Sequence, residues 1–117
     1  MTPAPRPARS RAYRAFCREF LACLGRLGIA GLWDVRFHLE PGLDAQAEVE
    51  CDIGDRVVSV RFGHLDANYS ARLLARHEVA HVLLAELAAI GRDRFAQEAA
   101  MDRAEETICT VLEKVLP

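Results

Sequence analysis

The chain has 117 residues, of which 51% are hydrophobic and 27% charged, and its formal net charge is −2. That length suits one domain around one core and excludes two of ordinary size, and the near-neutral charge excludes a chain-wide field for nucleic acid or an anionic membrane. No apolar run reaches the ~18 uninterrupted residues of a membrane helix, and no apolar signal stretch opens the chain, so a cytoplasmic location is expected.

The opening "MTPAPRPARSRAYR" carries four arginines, three prolines and no acid. Residues 1–10 are therefore expected to form a flexible basic arm. Any contact with nucleic acid is expected through this arm alone. Residues 11–117 then form a single domain. From about Ser10 to Leu27, Tyr13, Phe16, Cys17, Phe20, Leu21, Leu24 and Leu27 recur at helical spacing, predicting an amphipathic helix that Gly28 and Gly31 terminate.

Three strand-like segments follow. In "WDVRFHLE", Trp33, Val35, Phe37 and Leu39 alternate with Asp34, Arg36, His38 and Glu40, which predicts a strand with one buried face. "AEVECDI" alternates in the same way, and "RVVSVRF" places Val58, Val60 and Phe62 on one side. "PGLD" separates the first two segments and Gly54-Asp55 the last two, predicting an antiparallel meander. A long helix is expected from about Asn68 to Ile90, with Asp66, Asn68 or Ser70 as its N-cap and "GRDR" as its end. A last helix is expected from about Phe95 to Leu116. The fold class is α+β: an N-terminal helix, a three-stranded antiparallel sheet and two further helices. The four cysteines show no metal-finger spacing and fall at apolar positions, as free thiols in a reducing compartment do.

The fourth segment holds the chemistry. "RHEVAH" places His77 and His81 four residues apart within an apolar helix, with Glu78 directly after the first histidine. Side chains at i and i+4 share a helix face, so two imidazoles can converge on one zinc ion at ~2.0–2.1 Å each. Glu78 is turned about 100° from His77, placed to act as general base on a water rather than as a ligand. A third ligand has to come from elsewhere. In the last helix, Glu105 falls on the stripe of Met101, Ala104, Ile108, Val111, Leu112 and Val115. Glu106 groups with Asp102, Arg103, Thr110 and Glu113 on the charged side. Glu105 is therefore preferred as third ligand over Glu106 and Glu98, giving one zinc per chain. Tyr69, His64 and Arg72, near the entry of the histidine helix, are candidates to stabilise an oxyanion or touch substrate.

"HEVAH" resembles the H-E-x-x-H signature of zincin metallopeptidases, and a downstream helical glutamate resembles their gluzincin branch. The short layout over about residues 33–117 is similar to the minimal cores of ImmA/IrrE-type and SprT-like proteins of bacteria and phages. The resemblance implies that His77, His81 and Glu105 hold zinc and Glu78 is the base. It also implies that a peptide lies along an edge strand at 56–62, by strand addition. Leu84 and Leu87 stand where a G-x-x-H continuation would be, which excludes a metzincin, and Cys109 replaces the aspartate of the thermolysin-like pattern. The function this implies is a small zinc-dependent hydrolase cleaving a peptide bond of one restricted partner protein. The alternative is a non-catalytic, zinc-stabilised binding or regulatory domain.

Overall fold

Tyr13, Phe16, Phe20 and Leu24 recur every three or four residues because one helix, α1 (Ala8–Arg26), turns them all inward. The computed structural model describes residues 8–94, 98–114 and 116. The expected basic arm lies outside these residues up to position 7, and Ala8–Ser10 belong to α1. Phe16, Phe20, Cys23 and Leu24 are fully buried, whereas Leu21 is half exposed and leaves the stripe. Burying each phenylalanine contributes about 1.5–3 kcal/mol. The helix ends in a Schellman turn: Gly28 takes φ 75°, while Ile29 N–H donates to Leu24 C=O at 3.0 Å and Gly28 N–H to Gly25 C=O at 3.1 Å. A side chain at Gly28 would strain that left-handed backbone.

The three alternating segments form β1 (Asp34–Leu39), β2 (Ala47–Asp52) and β3 (Val57–Phe62). The class is α+β, as expected, but the sheet is mixed rather than antiparallel. Its order is β1-β3-β2, with β3 parallel to β1 and antiparallel to β2. The cause is the β1–β2 connection, which crosses the end of β3 instead of turning back in a hairpin. Glu40 N–H donates to Phe62 C=O at 2.9 Å and Gly63 N–H to Gln46 C=O at 2.7 Å. Gly63 is required beneath this crossing, because a Cβ there would lie 2.8 Å from Leu43 Cβ and 2.9 Å from Ala45 O. The 56–62 segment is therefore central and paired on both sides, and it cannot be the edge that accepts a peptide. Its burial agrees, with Val58, Val60 and Phe62 fully buried.

The edge positions fall to β1 and β2. Asp34 N–H donates to Arg56 C=O, and Gly63 N–H to Gln46 C=O. With the alternation of the ladders, these two bonds direct the even-numbered backbone groups of β2 toward β3. The N–H and C=O groups of Ala47, Val49 and Cys51 are left on the open edge. The outer face of the sheet carries exposed Asp34, Arg36, His38, Glu48 and Glu50, and the helices cover the other face.

Ser70 caps α2 (Ala71–Arg94), its Oγ accepting from the N–H groups of Arg72 and Leu73. "GRDR" does not end this helix but continues it. Gly91 lies where a Cβ would meet the tip of Met101 on α3 (Glu98–Leu112), so its missing side chain serves helix packing rather than a stop. The expected start of α3 at Phe95 lies outside the described residues. Helix α2 packs against α1 on one side, α3 on the other and β2 beneath. Leu74, Ala75, Val79 and Val82 enter the core shared with α1 and the sheet. Glu19 of α1 reinforces the α1–α2 contact from the rim, with Arg76 at 3.2 Å and Arg72 at 3.6 Å. Burial pushes the Glu19 carboxyl up, but the surrounding arginines outweigh it and hold it below the usual range. Among the described residues no helix is long and apolar enough to cross a membrane.

Candidate metal centre

His77 and His81 stand one turn apart on the side of α2 that faces α3, their ring centroids 5.1 Å apart and their planes crossed at 67°. Each ring meets carboxylates of α3 or its following turn on both nitrogens. The Nδ1 of His77 lies 2.7 Å from Glu113 Oε1, and the Nδ1 of His81 lies 2.6 Å from Glu105 Oε2. The two Nε2 atoms share a third carboxylate. Glu106 lies 3.2 and 3.3 Å from His77 Nε2 through its two oxygens, and 2.5 Å from His81 Nε2.

The donor and acceptor count decides what this cluster needs. An ionised carboxylate only accepts, so a ring nitrogen facing one is satisfied as a donor, and a neutral His77 that gives its single proton to the closer carboxylate donates from Nδ1. In a ring so protonated the Nε2 is a bare lone pair. Two such lone pairs facing the oxygens of Glu106 repel one another unless a second proton on each ring, or one shared cation, lies between them. Glu106 thus stands within 3.3 Å of both Nε2 atoms, close enough for one cation to be shared among the three side chains. Two imidazole nitrogens and one carboxylate are a donor set of the kind that binds a metal ion, and each imidazole has a second carboxylate behind it.

Among the described residues, His77, Glu78 and His81 form a group that could hold a metal ion, their ligand atoms all within 4.8 Å of one another; His81, Glu105 and Cys109 form another. The second group uses the Nδ1 face of His81, already joined to Glu105. Its thiol is fully buried, and burial followed by the nearby Glu105 pushes it up to about 12.

Glu78 is only 5% exposed. Desolvation pushes its carboxyl well above the ordinary range, helped by Glu106, Glu48, Glu113 and Glu105. No fully enclosed side-chain nitrogen or oxygen among the described residues lacks a partner. Glu78 forms part of the wall of a cleft of about 360 Å³ between β2 and α3, lined also by Ala45, Ala47, Glu48, Val49, His81, Asp102, Glu105 and Glu106. A second hollow of about 260 Å³ continues along β2 past Val49, Cys51 and Ile53, with Ala85 and Ala89 of α2 opposite. The cleft thus follows the open strand edge.

Of the residues picked out by sequence, His77, Glu78, His81 and Glu105 are brought together, and Tyr69, His64 and Arg72 are not in the cleft lining. The Tyr69 hydroxyl donates to Glu113 Oε2 at 2.8 Å, and burial, then this contact, pushes it up to about 12. His64 pairs with Asp66, and Arg72 reaches toward Glu19. Glu98 is exposed at the first turn of α3. Sequence reasoning missed Glu113, buried to 4% exposure. The available signal was its seven-residue spacing from Glu106, which puts both on one helix face. That face looked like a solvated charged side, yet it is the one turned to His77. The expected apolar stripe instead leaves Ile108 and Ala104 exposed. No protein-family model matches the chain, and no curated protein matches it.

Proposed function

We propose that the protein is a small zinc-dependent hydrolase of the H-E-x-x-H type, similar to the zincin metallopeptidases, acting on a peptide bond. The observation that carries this reading is the convergence of both Nε2 atoms on one carboxylate while both Nδ1 atoms are held from behind. It moves the third-ligand role from Glu105 to its neighbour. His77, His81 and Glu106 hold the ion, and Glu105 orients the ring of His81.

Zinc, when bound, supplies the Lewis acidity that brings water's ionisation close to neutral pH and polarises a carbonyl. The chain supplies the rest. Glu78, desolvated and open to the cleft, accepts the proton of the attacking water. The same carboxyl then passes that proton to the departing amine. The substrate lies extended beside β2 rather than β3, with the backbone groups of Ala47, Val49 and Cys51 as its pairing partners. A buried acid that lines the cleft beside the two histidines has no use in a purely structural metal site, and this favours the enzyme over the binding domain.

Zinc-loaded protein incubated with a diverse pool of unfolded peptides should generate new termini detectable by mass spectrometry, and a chelator should stop their appearance. Absence of chelator-sensitive products across the pool, with zinc bound, would favour the non-catalytic domain.

A further inference from the structure

The cluster behind His77 is longer than that behind His81. Glu113 stands in the turn after α3, and its two oxygens are divided between two donors: His77 Nδ1 at 2.7 Å and the Tyr69 hydroxyl at 2.8 Å. Tyr69 lies just before α2, its own N–H bonded to Asp66 C=O at 3.1 Å. The contact therefore closes the C-terminal turn over the entry of the histidine helix, between residues 36 and 44 positions apart in the chain.

We propose that Glu113, braced by Tyr69, is a positioning residue that locks His77 with its proton on Nδ1 and so keeps Nε2 open to a cation. The inference rests on the metal-site reading above, but it concerns a different bond. A buried carboxylate with one donor on each oxygen cannot rotate without breaking a hydrogen bond, so the ring facing it has one favoured orientation and one favoured tautomer. Packing of the C-terminal turn, with Leu116 against the core, then becomes a condition for metal binding rather than an adjunct to it.

Glutamine at this position separates the lock from plain packing. It has the same shape but one accepting oxygen and one donating nitrogen. If the oxygen takes the Tyr69 proton, the amide nitrogen faces Nδ1 and suits only the tautomer whose proton sits on Nε2, where a metal would bind.

The experiment compares wild type, Glu113→Gln and Tyr69→Phe in three readouts: zinc and cobalt affinity by chelator competition, thermal midpoint of the metal-free protein, and the His77 tautomer by ring ¹⁵N NMR without metal. Glu113→Gln should weaken both ions about 10–100-fold, leave the metal-free midpoint unchanged or higher, and move the His77 proton to Nε2. Tyr69→Phe should weaken affinity less, because Glu113 still accepts from Nδ1, and this variant keeps the test decisive should Glu113→Gln fold poorly. Wild-type affinity in both variants together with a lowered midpoint would overturn the proposal, leaving Glu113 a packing anchor. A wild-type protein that binds neither ion yet shows the Nδ1 proton would defeat the metal site and support the lock.

Discussion

Glu78→Gln should hold zinc as tightly as the wild type and lose hydrolysis by at least about 10²–10⁴-fold, the usual share of a positioned general base. The substitution keeps side-chain volume in a site that is 95% enclosed, counting from 5% exposure, so the packing around Val79 and the β2 wall should not change. What it removes is a proton acceptor. Glutamine cannot take a proton from water, nor return one to the leaving amine. The folded protein should be no less stable, since a carboxylate pushed far above its ordinary range by desolvation is a burden on folding when ionised. Metal affinity and denaturation would be measured alongside turnover. Undiminished turnover would take Glu78 out of the mechanism, and lost zinc would make it a ligand rather than a base.

Glu106→Ala should reduce zinc affinity by more than the ~10–100-fold that loss of an outer-shell partner causes, while Glu105→Ala should stay within that range. Glu106 meets both Nε2 atoms, and Glu105 meets one Nδ1. The comparison is clean in structural terms because the Glu106 side chain is 57% exposed and its removal leaves no cavity. Glu105 is more enclosed, at 13%, so a fall in thermal stability is expected for Glu105→Ala even without metal. Chelator competition on the two variants distinguishes the assignments, and the opposite ranking would restore Glu105 as the third ligand.

Much of this architecture can be read from periodicity. The aromatic stripe of α1, the alternation in β1 and β2 and the pair of histidines one turn apart all report which side of a local element faces inward. Local patterns do not report which elements become neighbours. The antiparallel meander was the economical reading of three consecutive strands. It failed because seven residues, 40–46, are enough to cross the end of β3 and return along the far side. The trace of that crossing in the sequence is a single glycine, Gly63, whose need is visible only once Leu43 and Ala45 are in place above it.

The part played by the charged side of α3 was obscured for a related reason. Apolar residues on α3 were expected to mark its buried side, yet Ile108 is 42% exposed while Glu113 is buried. The helix is rolled so that Glu105, Glu106, Cys109 and Glu113 meet α2, since the two histidines draw the acids inward. Hydrophobic phasing presumes that burial follows greasiness, and a polar cluster satisfied by its own hydrogen bonds breaks that presumption. His77, Glu78 and His81 were legible because their spacing is itself the geometry. Tyr69 was legible as important but not for its reason, because its partner lies 44 residues away.

Zinc content of the purified wild type beside His81→Ala tests the shared-cation claim most directly. Elemental analysis should find close to one zinc per wild-type chain and almost none in the variant, with chelation lowering the thermal midpoint of the wild type alone. Metal-free wild-type protein that remains fully stable and binds no added zinc would mean that the histidines and glutamates satisfy one another with protons, and the hydrolase reading would not stand.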